Sequence, residues 1–121
     1  MVTSKKELYV VNIKNVEPYT DPTKRITGRS YRCITKANCN SDKLMLTVFC
    51  ADPGQGVKPM STSRDECMYI IKGRCKAIWN DKEIFAKKGD AVFIPAAEKI
   101  SLQATGKGRL VCVAVISPPI V

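Results

Sequence analysis

Apolar and polar residues alternate in short runs along most of the chain. In each run, β-branched and aromatic residues tend to fall at every second position, and turn residues separate the runs. A period of two is typical of strands, and no segment carries the 3.6-residue apolar stripe of a long helix. The runs are ELYVVNI, RSYRCITK, KLMLTVFCA, ECMYIIKG, RCKAIWN, AVFIP, KISLQA and RLVCVAVI. This pattern predicts an all-β sandwich or barrel.

Turn residues fix the connections in the second half of the chain. Asn80 and Asp81 suit a tight hairpin between RCKAIW and EIFAKK, because both residue types tolerate left-handed backbone. Gly89 and Asp90 then predict a sharp turn into AVFIP, and Pro95 ends that strand because it has no N–H to donate. The turns therefore predict strands connected by short loops.

Length and composition favour one globular domain over residues 1–121. The chain has 121 residues, of which 45% are hydrophobic and 26% charged, as in ordinary globular proteins. No apolar stretch has the length of a signal-peptide core or of a membrane span. We therefore expect a cytoplasmic protein that does not associate with membranes.

The net charge of +9 favours acidic partners in general. The basic residues are scattered, however, and there is no RNP-like aromatic motif or zinc-finger spacing. A solvated basic surface is the preferred interpretation, followed by a small anionic ligand and, last, nucleic acid. We expect a small-molecule ligand and no nucleic-acid partner.

The six cysteines do not form any CxxC pair, which argues against a structural zinc site. Four of them lie inside apolar runs and are predicted to be reduced core residues: Cys50, Cys67, Cys75 and Cys112. Cys39 lies in the polar stretch KANCNSD and is predicted to be exposed.

The stretch DECMYIIKGRCKAIWNDKEIFAKKGDAVFIPAAEKISL resembles the two halves of the cupin motif. The first half runs from Glu66 through an apolar strand to Gly73, and the second has the form GDxVxIP, here 89–95. The resemblance covers about residues 45–116 and implies a cupin jelly-roll barrel, a double-stranded β-helix. An arm over about residues 1–25 lies outside it.

The cupin resemblance also bears on metal binding. Three positions that carry metal-binding histidines in cupins are Met60, Thr62 and Ile100 here, so that only Glu66 remains of the usual ligands. One carboxylate with a thioether and a hydroxyl does not suit iron, manganese, nickel or zinc. We therefore predict no metal and no cofactor.

Among cupins, the histidine-free pattern is similar to the small cupin of ethanolamine utilisation. The matching residues are Asp65, Glu66, Gly73, Ala86, Lys87, Gly89, Asp90, Phe93, Ile94, Pro95 and Ile100. This resemblance implies a metal-free barrel, associated with microcompartment metabolism and dimeric. We expect a homodimer formed by sheet extension, with the strand ELYVVNI as the donor.

Alternation along the strand predicts that Glu66 points into the barrel, near Met60, Thr62 and Ile100, and that Asp65 points outward. An apolar lumen would raise the pKa of Glu66 and make it a proton donor or base, the predicted catalytic residue. The predicted ligand-binding residues are Met60, Thr62, Met68, Phe93, Lys99 and Ile100.

Three hypotheses for Glu66 remain open. It is an inherited lumen residue satisfied by a backbone amide or by Lys99, Arg29 or Arg32; it belongs to a binding site for a small anion; or it is the general acid or base of a metal-free isomerase, cyclase or lyase. A ligand sensor or protein-interaction module is a further alternative. Tyr69 is expected in the core, and Trp79 is expected to make a packing or interface contact.

Overall fold

The computed structural model describes residues 7–120 of the chain. Within this range the chain forms nine strands, one turn of 3-10 helix at Ile13–Asn15 and one four-residue helix, α1, at Lys36–Cys39. The strands are β1 Arg29–Ile34, β2 Met45–Ala51, β3 Gly56–Met60, β4 Asp65–Lys72, β5 Arg74–Trp79, β6 Lys82–Lys87, β7 Ala91–Ile94, β8 Ile100–Thr105 and β9 Leu110–Ser117. No helix among the described residues has the length or apolar character needed to cross a membrane.

The strands form two antiparallel sheets that share one core. The five-stranded sheet has the order β1-β2-β9-β4-β7, and the four-stranded sheet has the order β3-β8-β5-β6. Met68 and Ile70 of the first sheet join Cys75 and Leu102 of the second in a single buried cluster. The architecture confirms the predicted all-β fold with a jelly-roll arrangement of two sheets.

The register of the five-stranded sheet follows the alternation seen in the sequence. In β2 and β9 every second residue is buried, and the intervening residues are only partly covered. On β4 the inward positions are Glu66, Met68 and Ile70, and Ile70 is fully buried. Glu66 therefore shares the inner face of the sheet with core residues.

The predicted hairpin turn is present between β5 and β6. Trp79 pairs with Lys82, and the two loop residues Asn80 and Asp81 have φ values of 51° and 60°, the left-handed backbone of a tight hairpin. Gly89 has a φ of 92° in the turn that precedes β7. Turn chemistry was thus a reliable guide in this half of the chain.

The prediction of a strand over ELYVVNI is wrong for the isolated chain. Residues 7–12 form no ladder, and the backbone then enters the 3-10 turn. Leu8 and Val10 are 98% and 86% exposed, so this segment makes few contacts with the rest of the described chain. Alternation alone predicted a strand here, but none of the strands in residues 7–120 pairs with the segment.

One strand, β3, was not predicted. Its sequence GVKPM contains Gly56 and Pro59, two residues that interrupt most strands. It forms because Gly56 and Val57 pair with Gln103 and Leu102 on β8. Tertiary pairing here outweighs local propensity.

The cysteines are all free, and their burial differs in part from the prediction. Cys75 and Cys112 are buried as expected, and burial raises the pKa of the Cys112 thiol to about 12. Cys67 was expected in the core but is exposed, because it alternates with the inward Glu66 and Met68. Cys50 is only partly buried, and Cys39 is partly rather than fully exposed.

Candidate functional site

A cavity of about 210 Å³ lies between the two sheets. Strands of both sheets line it, and Tyr19 from the arm and Ile120 from the C-terminal end also contact it. Its wall is mostly apolar, and its volume is below the roughly 300–1,000 Å³ of sites for drug-sized ligands. The cavity therefore suits a small metabolite.

Glu66 enters this cavity from the beginning of β4. Its backbone pairs with Ile94 on β7 and Ile116 on β9, so its side chain is flanked by two aliphatic residues that also line the cavity. Removal of the carboxyl group from water raises the pKa of Glu66 above its ordinary value. No hydrogen bond or ion pair to the carboxyl group of Glu66 is formed within residues 7–120.

The unpartnered carboxyl group bears on the first hypothesis for Glu66. Arg29, Arg32 and Lys99 do not pair with it, nor does a backbone amide among the described residues. The neighbouring Asp65 does find such a partner, since its Oδ1 accepts a hydrogen bond of 2.8 Å from the amide of Ala96. Glu66 thus faces the cavity without a hydrogen-bond partner among residues 7–120.

A Glu66→Gln variant is expected to gain stability relative to the wild type as the pH rises above about 4.5, the ordinary pKa of the side chain. Above this pH the unfolded chain loses the proton while the folded chain retains it, so wild-type stability falls until the raised pKa of the folded state is passed. Glutamine does not ionise and removes this loss. Thermal denaturation of both proteins across the range tests the expectation.

The control for this pH series is Glu83→Gln, which makes the same substitution at an exposed glutamate of β6, away from the cavity. If the difference in melting temperature between Glu66→Gln and the wild type stays constant with pH, the carboxyl group at position 66 is not desolvated.

The structure brings most of the predicted site residues together. Met60, Thr62, Met68 and Ile100 all line the cavity with Glu66. Met60 and Ile100 are opposite each other on β3 and β8, and Met68 follows Glu66 on the inner face of β4. The spacing of the motif in the sequence was sufficient to place these five residues on one surface.

Two predicted ligand-binding residues do not line the cavity. Phe93 is 64% exposed because it alternates on β7 with Val92 and Ile94, which point inward. Lys99 is exposed in the loop that precedes β8. Trp79, expected to make a packing or interface contact, is partly buried and donates a hydrogen bond of 3.1 Å from Nε1 to Glu98 Oε1. Phe93 and Lys99 are therefore corrected from wall residues to surface residues.

The sequence interpretation named Arg32 only as one of three possible partners of Glu66 and did not include it among the ligand-binding residues. Arg32 lies on β1 opposite the buried Thr47, so its side chain is on the inner face of the sheet and lines the cavity. Its guanidinium carbon lies 3.9 Å from the centre of the Tyr19 ring, a cation–π contact. No carboxylate within residues 7–120 forms an ion pair with it. The alternation of RSYRCI held the only signal for this orientation.

A second concavity, of about 330 Å³, lies on the outer face of the four-stranded sheet. It is a more open groove, with Lys58, Lys76 and Gln103 along it. Lys76 lies 3.9 Å from Glu83, a long ion pair at the surface that stabilises little. Although this groove is larger, the cavity between the sheets has the apolar walls and the desolvated carboxyl group of a specific site.

The residues at the metal positions of cupins do not fit a transition metal. Met60, Thr62, Glu66 and Ile100 supply a thioether, a hydroxyl, a single carboxylate and an alkyl group. Residues 7–120 contain no group of three or more His, Cys, Asp or Glu side chains arranged to hold a metal ion. The donor set therefore does not suit iron, manganese, nickel or zinc.

The family model for the cupin domain matches residues 47–116, which run from within β2 to Ile116 in β9. The chain belongs to the cupin family. No curated protein sequence matches this cupin significantly.

Several solved structures share the fold over most of the chain. A predicted oxalate decarboxylase from Thermotoga maritima is 23% identical, with a TM-score of 0.77 over 91% of this chain and 99% of that one. The polyketide cyclase RemF from Streptomyces resistomycificus is 17% identical, with a TM-score of 0.80 over 92% and 80%. A protein assigned to ethanolamine utilization, protein Q from Salmonella typhimurium, is 18% identical, with a TM-score of 0.64 over 76% and 70%. At these identities the likeness concerns the fold.

Proposed function

We propose that this cupin binds a small organic anion, most simply a carboxylic acid, in the cavity between its sheets, and that it does so without a metal. The observation that carries the proposal is the Glu66 carboxyl group, which has no hydrogen-bond or ion-pair partner within residues 7–120 and shares an apolar cavity with Arg32, which has no ion-pair partner in that range. Both side chains are partly buried at the cavity. A ligand that carries an anionic group and a hydrogen-bonding group would pair with both of them.

Arg32 would hold the anionic group of the ligand. A guanidinium presents planar paired donors to a carboxylate or phosphate, and the Tyr19 ring beneath it fixes its plane without neutralising its charge. β1 and β4 are separated by β2 and β9, three strand spacings of about 4.8 Å each. The ligand would thus have its anionic group at one end and a hydrogen-bonding group near Glu66 at the other.

Glu66 would donate a hydrogen bond to the second end of the ligand. Its raised pKa keeps the acid neutral to a higher pH than an ordinary glutamate, and a bound anion raises that pKa further. Ligand binding would therefore take up a proton. The affinity is expected to fall with rising pH in the wild type and to depend less on pH in Glu66→Gln.

A second candidate function is metal-free catalysis by the same carboxyl group. A desolvated glutamate beside apolar walls is suited to act as a general acid or base for an isomerisation, cyclisation or elimination. The structural likeness to a polyketide cyclase is compatible with this candidate, although it concerns the fold. Turnover that is lost in Glu66→Gln while the ligand still binds would distinguish catalysis from binding alone.

We further propose an accessory role in ethanolamine-type or microcompartment metabolism, in the cytoplasm. The motif of 65–100 and the structural likeness to ethanolamine utilization protein Q support the pathway. Six free cysteines fit a reducing compartment. The remaining alternative, a sensor or interaction module, predicts binding to partner proteins in place of turnover.

The test of the binding proposal is a thermal-shift screen of chelator-treated protein, followed by calorimetry. The probes are small acids, aldehydes, amines and phosphorylated metabolites, with divalent metals as separate arms. A ligand at 100 times its dissociation constant adds about 2.7 kcal/mol of stability. We expect a shift from acids that persists in chelator, whereas stabilisation by transition metals alone would contradict the proposal.

The Arg32→Gln variant is expected to bind the acid identified in that screen roughly 10- to 100-fold more weakly, the usual effect of losing a charged hydrogen bond of about 1.5–3 kcal/mol. Arg29→Gln is the matched control, because Arg29 lies on the same strand but is exposed and opposite Cys50 on the outer face. Equal losses in the two variants would indicate general attraction by the basic surface rather than a site at Arg32.

A further inference from the structure

A second carboxyl group, that of Glu98, lines the cavity between the sheets. Glu98 lies in the loop 95–99, which connects β7 to β8, and its side chain is partly buried. It was not among the ligand-binding residues predicted from the sequence. Unlike Glu66 it has a partner, because its Oε1 accepts the hydrogen bond of 3.1 Å that Trp79 donates from Nε1. The cavity therefore contains two carboxyl groups in different surroundings.

Strand pairing brings Trp79 to Glu98. β5 and β8 are neighbours, and Ile78 near the end of β5 is opposite Ser101 near the beginning of β8. Trp79 therefore lies beside the point where the loop 95–99 enters β8, on the same face of β5 as the buried Cys75. An indole has a single N–H to donate, and here it is directed at Glu98. This hydrogen bond orients the carboxyl group.

Two further hydrogen bonds hold the loop that carries Glu98. The amide of Ala97 donates to the carbonyl oxygen of Thr62 over 2.6 Å, and the amide of Ala96 donates to Oδ1 of Asp65 over 2.8 Å. Ala97 has a φ of 69°, in the left-handed region that alanine rarely adopts, so the surrounding contacts must hold it there. Thr62 itself lines the cavity. The loop is thus attached to the cavity wall, and Glu98 is in position before a ligand binds.

Trp79 occupies only part of the hydrogen-bonding capacity of Glu98. The two oxygens of a carboxylate offer about four acceptor sites, and the indole N–H uses one of them. No other hydrogen bond and no ion pair to this carboxyl group is formed within residues 7–120, and the adjacent Lys99 does not pair with it. Glu98 can therefore accept hydrogen bonds from a ligand in the cavity.

The charges of the cavity wall select among small acids. Arg32 is a cation on β1 of the five-stranded sheet, whereas Glu98 directly precedes β8 of the four-stranded sheet. An acid with no other polar group pairs with Arg32 and leaves Glu98 without a donor. An acid that also carries an ammonium group pairs with both residues, and a hydrogen bond between two charged groups is stronger than one between neutral groups. A zwitterion therefore fits the wall better than a simple acid.

We propose that the ligand of this cavity is a small amino acid, an acid that also carries an ammonium group, and that Glu98 is the residue that selects it. The inference rests on the proposed function, since it takes Arg32 as the group that binds the carboxylate. Glu98 binds the ammonium group. Trp79 is a positioning residue that acts through its hydrogen bond to Glu98, and Glu66 remains available to a polar atom elsewhere on the ligand.

The experiment compares three acids of one carbon skeleton by calorimetry on chelator-treated, full-length protein. Propionate has no donor beside its carboxylate, lactate adds a hydroxyl group, and free alanine adds an ammonium group. The wild type is expected to bind free alanine roughly 10- to 100-fold more tightly than propionate, the usual effect of one charged hydrogen bond, with lactate in between. This comparison needs no variant, so it does not depend on whether a substituted protein folds.

Two variants assign the selection to Glu98. Glu98→Gln keeps the size of the side chain and an acceptor for the indole but removes the charge, so it should weaken free alanine roughly 10- to 100-fold and leave propionate unchanged. Trp79→Phe keeps an aromatic ring without the N–H and should lower the ratio of the alanine to the propionate affinity by a smaller factor. A purely structural role of Trp79 would weaken both acids together. Glu83→Gln, at an exposed glutamate of β6, is the matched control and should change neither affinity.

The outcomes separate this inference from the proposed function. Equal affinities of the wild type for propionate and free alanine, or equal losses of both in Glu98→Gln, would overturn the role of Glu98 and leave the acid site at Arg32 intact. Lactate bound as tightly as free alanine would overturn the amino-acid class in favour of a neutral donor. Binding of all three acids that is unchanged in Arg32→Gln would instead contradict the proposed function.

Discussion

Replacement of Gly56 by alanine is expected to lower the free energy of unfolding by about 4 kcal/mol or more, close to the full stability of many small domains. Gly56 begins β3 and is buried against β8. A Cβ atom there would collide with the backbone carbonyl oxygen of Leu102 and lie 2.8 Å from its carbonyl carbon and 2.9 Å from the Cα of Gln103. Backbone atoms in a sheet cannot move aside without breaking the ladder.

The loss at Gly56 should extend to the site. β3 carries Met60 and leads directly to Thr62, which both line the cavity, so displacement of this strand should also abolish ligand binding. Denaturation in urea followed by circular dichroism measures the stability. Gly108→Ala is the control, since a Cβ there meets no atom within 4 Å, and it should change the free energy of unfolding by less than about 0.5 kcal/mol. Similar midpoints for the two variants would refute the close approach of β3 to β8.

The sequence predicted the second half of the fold well because two independent signals agree there. The alternation of RCKAIW and EIFAKK defines two strands, and Asn80 and Asp81 supply the left-handed backbone that a two-residue hairpin requires. The arm offered only one of these signals. ELYVVNI alternates, but no turn ties it to a neighbouring strand, and alternation without a partner strand does not produce a ladder.

The candidate site was predicted where the cupin motif fixes the spacing, and was missed elsewhere. Glu66, Met60 and Ile100 follow from the motif and from alternation along β4. Arg32 was named as a possible partner of Glu66 but not as a ligand-binding residue, because an arginine in a strand is usually solvated. The position of β1 beside β2 turns its side chain toward the cavity. The tertiary structure determines which strand lies beside β1 and which face of β1 points toward the core. A local sequence pattern does not contain this information.

The apolar residues at the outward positions of β4 explain the errors at Cys67 and Tyr69. Both were expected in the core because they lie in an apolar run, yet a run that is apolar on both faces does not reveal which face is inside. Glu66 lies on the inner face of β4 with Met68 and Ile70. The usual rule that polar side chains point to solvent would have turned this face outward, which is incorrect. The cupin motif gave the correct orientation because it places this carboxylate in the barrel.

The adjacent residues Ile70 and Ile71 test that orientation directly. Ile70 is fully buried in the core cluster, whereas Ile71 is 46% exposed on the other side of the same strand. Ile70→Ala removes three methyl or methylene groups from a packed core and leaves a cavity, which typically costs about 2–5 kcal/mol. Ile71→Ala should cost less than about 1 kcal/mol, because this side chain is about half exposed.

Urea denaturation of both alanine variants measures the difference, and equal slopes with denaturant concentration would show that only stability has changed. A shift of β4 by one residue would exchange the two faces, so the larger loss would then fall on Ile71 and Glu66 would point to solvent. The pair of variants therefore tests the fold and the site together. If Ile70→Ala shows the larger loss of stability, the register that buries Ile70 is supported. The same register directs the carboxyl group of Glu66 into the cavity, because Glu66 lies two inward positions before Ile70 on β4.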